Sequence, residues 1–154
     1  MNKLLYLLPF IVAGIAEPIQ YKDCPNGNYY HASAVELSPC QTQPCTFKHG
    51  DTVTVKISFD AADDTAALQS KVFGIVEGIP VPFPLPNPDG CKDSGITCPL
   101  VKGQSYVYTS SFKVLDTYPK IDLVVMWQLN SANDGNQVCF TFPMSIADGA
   151  SVVG

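Results

Sequence analysis

The sequence predicts an all-β domain of about seven strands packed as a two-sheet sandwich. Three observations carry this. Helical periodicity is nearly absent, several segments alternate apolar and polar residues with a period of two, and turn signals separate them at short intervals. Ala32 to Leu37 opens the series. Asp51 to Phe59 alternates cleanly, with Val53, Val55, Ile57 and Phe59 on one face and Thr54, Lys56 and Ser58 on the other. Val72 to Val76 follows. Tyr106, Tyr108, Phe112 and Val114 share a further face. Ile121, Leu123, Val125, Trp127 and Leu129 share another, opposite Asp122 and Gln128, and Phe140, Phe142 and Met144 mark a last strand. Turns are expected at Pro25-Asn26-Gly27, His49-Gly50-Asp51, Asp89-Gly90 and Asn133-Asp134-Gly135.

Residues 79–88 are the most distinctive stretch. Prolines at 80, 82, 84, 86 and 88 forbid a helix and remove backbone donors, so this segment cannot be a central strand. Between them stand Val81, Phe83 and Leu85, large apolar side chains on a stiff extended backbone. Such an edge, beside a short loop bounded by Cys91 and Cys98, suits the rim of an apolar cavity. Phe73 and Ile75 beside Val72 and Val76, and Val124 and Met126 beside Leu123 and Val125, make two strands apolar on both faces. Ordinary packing, an internal cavity and an external docking knob all remain open for that excess.

Composition bounds the compartment and the partners. Lys3, the apolar run Leu4 to Val12 and Gly14-Ile15-Ala16 read as a signal peptide over residues 1–16, leaving one domain over residues 17–154. Six cysteines in an exported chain read as three disulfides. Cys40/Cys45 and Cys91/Cys98 are close enough to staple local loops, which leaves Cys24 with Cys139. Zinc is the competing use of Cys40 and Cys45, but no second close Cys or His pair accompanies them. Without the leader, eight lysines face fourteen carboxylates, a net charge of −6, and arginine is absent. Nucleic-acid binding, which needs a basic surface, is excluded.

Catalytic groups are scarce. His31 and His49 are the only histidines, both in polar, turn-prone sequence, and Asp63-Asp64 reads as a solvated pair. Neither a nucleophile–base pattern nor a phosphate-cradling or metal-binding motif is present, so no enzyme, metal site or cofactor is expected.

Five blocks carry a family resemblance: Glu17-Pro-Ile-Gln-Tyr-Lys-Asp-Cys24, Ser38-Pro-Cys-Gln-Thr-Gln-Pro-Cys45, Gly78-Ile-Pro-Val-Pro-Phe-Pro-Leu-Pro-Asn-Pro-Asp-Gly-Cys91, Ser94-Gly-Ile-Thr-Cys-Pro-Leu100 and Tyr118-Pro-Lys-Ile-Asp-Leu-Val-Val-Met-Trp-Gln-Leu129. Together they resemble the sterol carriers of the ML lipid-recognition family, in order from about Glu17 to Ile146. The resemblance implies an immunoglobulin-like sandwich with a lipid cavity between its sheets and the disulfide pairing given above. It implies a secreted or lysosomal carrier, monomeric, that takes a sterol from membranes or a soluble partner and hands it to a membrane transporter. A secreted carrier of fatty acids or small hydrophobic signalling molecules is the alternative. The family's pocket-mouth positions correspond to Phe83, Val114 and Tyr118, and its deeper wall to Pro119, Leu123, Val125, Trp127 and Phe140. The membrane- or transporter-facing knob corresponds to Phe73, Gly74, Ile75, Gly78, Ile79 and Val81, with Lys92 nearby.

The chain also departs from the family pattern. It has no Asn-x-Ser/Thr sequon; Val35 to Ser38 and Asn136 to Val138 stand where relatives often carry one, which favours simple secretion over glycan-directed routing. Phe140 replaces a common tryptophan, Phe73 a histidine and Leu115 a lysine near the mouth.

Overall fold

The computed structural model describes residues 17–25, 31–132 and 135–149. The expected leader and the turns at Asn26-Gly27 and Asn133-Asp134 lie outside the described residues. Ten strands form: β1 (Glu17–Pro18), β2 (Lys22–Asp23), β3 (Ala32–Ser38), β4 (Cys45–Lys48), β5 (Thr52–Asp60), β6 (Leu68–Val76), β7 (Ile79–Phe83), β8 (Ser105–Lys113), β9 (Asp122–Ser131) and β10 (Asn136–Ala147). One sheet runs β1-β3-β5-β8. The other runs β2-β10-β9-β6-β7, with β4 added parallel to β10. The described residues thus hold ten strands where about seven were expected. β1 and β2 have two residues each and β4 has four, too few to carry a readable period.

Alternation sets which side chains meet between the sheets. Val53, Val55, Ile57 and Phe59 on β5 are buried, while Thr52, Lys56 and Asp60 are exposed. On β9, Val125, Trp127 and Leu129 are buried toward the same interior. Burying one such side chain contributes about 1.5–3 kcal/mol, and this interior layer supplies most of the cohesion between sheets.

β7 is an edge strand, as its prolines require. It pairs with β6 through Val76↔Ile79, so two residues, Glu77 and Gly78, close the hairpin. Both have positive φ, 51° and 81°, the backbone of a type I′ turn. Gly78 supplies that conformation without strain. Because β7 bonds only to β6, Pro80 and Pro82 present no donor on its open side, which blunts the edge against pairing with another chain.

Disulfides join Cys24 to Cys139, Cys40 to Cys45 and Cys91 to Cys98, with Cα separations of 5.5, 5.2 and 5.6 Å. Cys40 and Cys45 are therefore bonded to each other, and the zinc alternative falls. The Asp89-Gly90 turn forms as expected: the Asp89 carboxylate accepts from Cys91 N at 2.9 Å, and Asn87 Oδ1 accepts from Asp89 N at 3.2 Å. Gly90 allows a close approach, since a Cβ there would lie 2.9 Å from the Leu68 side chain. Gly90→Ala is expected to lower the unfolding midpoint by several degrees in a thermal melt, with a backbone shift about Leu68; an unchanged midpoint would contradict this packing.

Candidate functional site: an apolar cavity between the sheets

Between the two sheets lies a cavity of about 500 Å³, within the usual range of small-molecule sites. Its floor is built by inward positions of the central strands: Val53 and Val55 on β5, Val72 on β6, Val125 and Trp127 on β9, and Phe142 on β10. Trp127 is buried, and its indole N–H donates to the buried Ser70 hydroxyl at 2.8 Å, which fixes the ring as part of the wall. Tyr108 and Phe112 pack on it with ring centroids 6.3 and 6.4 Å away.

Three aromatic rings gather at the half-exposed end. Phe83 packs edge-on against Phe112 at 5.5 Å and against Tyr118 at 5.6 Å. Each such pair contributes about 0.5–1.5 kcal/mol beyond burial. Phe83 sits on the edge strand and Tyr118 in the loop between β8 and β9, so neither ring is carried by a central strand.

That loop is held at four points. Val114 exchanges backbone hydrogen bonds with the 50–51 turn: Gly50 N donates to Val114 O at 2.7 Å, and Val114 N donates to Asp51 O at 2.9 Å. His49 Nε2 donates to the Tyr118 carbonyl at 2.8 Å. Ile146 N donates to Ile121 O at 2.9 Å, and Lys120 Nζ bonds the Asp148 carboxylate at 2.9 Å. His49 is thus a brace for the loop, and His31 pairs at the surface with Asp23 at 2.8 Å.

The Lys120 hydrogen bond, helped by the charges of Lys120 and His49, holds the Asp148 carboxyl below its ordinary value of 3.8. A depressed carboxyl stabilises the fold above that value and loses its contribution only as pH falls through the folded-state value. Acidification from pH 7 to about 5 therefore leaves the Lys120–Asp148 tie in place. A ¹³C carboxyl titration should place the Asp148 midpoint below 3.8; a midpoint above it would contradict the geometry.

Of the residues expected in the site, Phe83, Val114, Tyr118, Pro119, Leu123, Val125 and Trp127 line the cavity. Three placements differ from expectation. Val114 is buried, 2 % exposed, and forms wall rather than mouth; Phe112 takes the mouth position beside Phe83. Pro119 is exposed and forms rim rather than deep wall. Phe140 lies outside the lining, because Tyr21 packs edge-on against it at 5.5 Å and fills the space on that side. Sequence reasoning also missed Leu37, Phe47, Phe142, Met144 and Ile146 as lining residues.

The expected knob divides in the same way. Phe73, Gly74 and Val81 border the cavity, and a Cβ on Gly74 would sit 3.0 Å from the Leu123 side chain. Ile75 is half-buried outside the lining, and Gly78 serves the hairpin turn. Ile79 and Val81 stand out at 64 % and 50 % exposed. Lys92 is exposed in the turn after Asp89, where its carbonyl accepts from Asn87 Nδ2 at 2.6 Å.

Chemically, the arrangement encloses rather than reacts. Lining side chains are aliphatic, aromatic, proline or methionine, and their only nitrogen and oxygen atoms are the Trp127 N–H, already bonded, and the Tyr118 hydroxyl. Such a space binds by removing hydrocarbon from water, about 0.8 kcal/mol per methylene.

The family profile described as ML domain matches residues 18–146. The chain is 40% identical over 142 residues to the mouse (Mus musculus) NPC intracellular cholesterol transporter 2, covering 92% of this chain and 94% of the relative. It is 37% identical over 135 residues to the Drosophila melanogaster NPC intracellular cholesterol transporter 2 homolog a, covering 85% and 89%. Among solved structures, a Niemann-Pick type C2 protein from the Japanese carpenter ant superposes with a TM-score of 0.76 at 30% identity, covering 83% of this chain and 99% of that one.

Proposed function

We propose a function from one premise: the chain belongs to the ML domain family. The protein is a non-enzymatic lipid carrier that holds one sterol-like lipid between its sheets and exchanges it with membranes. The observation that carries this reading is the 500 Å³ cavity, apolar throughout its depth and closed at one end by the Phe83, Phe112 and Tyr118 rings. A sterol inserted there would bury on the order of ten methylene equivalents, a gross gain of about 8 kcal/mol before the ordering costs of association. Relatives named as cholesterol transporters support sterol as the cargo. Secretion as a monomer, and delivery to a membrane transporter, complete the reading.

Titration with a fluorescent sterol tests it. Saturation at one sterol per chain is expected, and absence of saturable binding would overturn the carrier reading.

Exchange with membranes has its own test. Ile79 and Val81 are exposed apolar residues on the β6–β7 hairpin, which supports this hairpin as the face that meets the bilayer. Ile79→Asp replaces an exposed apolar side chain by a charge. It is expected to slow sterol transfer between vesicles about tenfold while solution affinity stays within a factor of two. Fast transfer by this variant would place the docking face elsewhere.

A further inference from the structure

Phe83, Phe112 and Tyr118 close the half-exposed end of the cavity, and of the three only Tyr118 is carried by a loop rather than a strand. Moving it breaks no sheet ladder. Among the described residues, one hydrogen bond ties Tyr118 to another element: His49 Nε2 donates to its carbonyl at 2.8 Å. Its other bond, from Tyr118 N to Leu115 O at 3.0 Å, stays inside the loop. His49 is itself well fixed. Its backbone N–H donates to Ala147 O at 2.9 Å, and its side chain is only 11 % exposed.

The second ring nitrogen makes this brace sensitive to a proton. A carbonyl can only accept, so Nε2 carries its hydrogen whether the ring is neutral or charged. In the neutral ring Nδ1 is then a bare lone pair, facing Asp148 Oδ1 at 3.6 Å, acceptor against acceptor. In the charged ring the same nitrogen becomes a donor beside a carboxylate. That oxygen is available, since Lys120 Nζ takes Oδ2 at 2.9 Å. Of the other charges, Lys120 opposes a positive ring, and Asp116, exposed in the same cleft, favours it. On the ring's own turn, Asp51 Oδ2 accepts from the Lys48 amide at 2.8 Å, and Lys48 is exposed. Histidine is the side chain that changes charge between about pH 5 and 8. Over that range Asp148 stays ionised, because the Lys120 hydrogen bond holds its carboxyl below the ordinary value.

We propose that His49 is a positioning residue for lipid exchange: protonation closes its ring onto Asp148 as well as the Tyr118 carbonyl, so the mouth loop is held more tightly and lipid leaves more slowly as pH falls below neutral. This rests on the carrier reading and adds a control to it. The carrier exchanges its cargo fastest near neutral pH and retains it in acid.

The test loads the protein with a fluorescent sterol and follows its loss to excess methyl-β-cyclodextrin, an uncharged trap, from about pH 8 to about pH 5. The wild-type rate is expected to fall about two- to fivefold, as a partly exposed ion pair provides, through a single-proton midpoint. That midpoint should coincide with the His49 ring titration followed by ¹H–¹⁵N NMR. His49→Gln, whose amide can still donate to the Tyr118 carbonyl but takes up no proton, should lose the pH dependence. His31→Gln should keep it, since His31 pairs with Asp23 elsewhere on the surface. His49→Ala should release sterol faster than wild type across the range. A flat wild-type profile, a midpoint away from the His49 titration, or a full pH response in His49→Gln would each overturn the proposal. So would loss of the response in His31→Gln, or a wild-type rate in His49→Ala. Absence of saturable sterol binding would instead overturn the carrier reading itself.

Discussion

Val114→Phe should abolish sterol binding while the fold survives. Val114 is 2 % exposed and lines the cavity where the β8–β9 loop begins. Its backbone is fixed by hydrogen bonds to Gly50 and Asp51, so a new side chain cannot be relieved by moving the loop. Phenylalanine adds about four ring carbons, and the open direction for them is the cavity. In a filled core such overpacking costs about 1–3 kcal/mol; beside a void the cost to folding is smaller. The ligand bears the loss. Displacing four methylene equivalents removes about 3 kcal/mol, roughly a hundredfold in Kd. Sterol titration and a thermal melt on the same preparation check both halves. Unchanged affinity would place the ligand outside this cavity, and a collapsed melting transition would make Val114 a structural residue.

The second large effect concerns stability. Cys24 and Cys139 are separated by 115 residues, so their disulfide ties the N-terminal segment beside β2 to β10. In the chain-entropy model a loop of that length contributes about 4–5 kcal/mol, against about 2 kcal/mol for one the size of Cys40–Cys45. A domain of this size has about 5–15 kcal/mol in total. The Cys24→Ser/Cys139→Ser double variant is therefore expected to melt on the order of 15 °C lower. Cys40→Ser/Cys45→Ser should lose less than half as much. Equal losses from the two double variants would show that local strand docking, and not loop length, governs what the long bridge provides.

The architecture was legible wherever alternation ran for five residues or more. β5 and β9 announce themselves because their inward side chains recur every second position, and the prolines of β7 can only sit at an edge. β1, β2 and β4 were not legible, since they exist only because β3 and β10 offer partners. The site was legible in part, through the family resemblance more than through pattern. An inward valine looks the same in sequence whether it touches a neighbour or a void; Val53 and Val55 read as core, yet they line the cavity. Phe140 shows the reverse. It shares a strand face with Phe142, but Tyr21 covers it from a segment more than a hundred residues away, and that contact has no local signal. His49 reads as a turn residue, and its hold on the Tyr118 carbonyl spans 69 positions.

The most direct measurement is a crystal structure of the protein with cholesterol bound. The account predicts electron density for one sterol between the sheets, its hydrocarbon tail against Trp127 and Val125 and its polar end at the Phe83, Phe112 and Tyr118 rings. Sterol density on the outer surface, with Phe83, Phe112 and Tyr118 closed over an empty cavity, would contradict it.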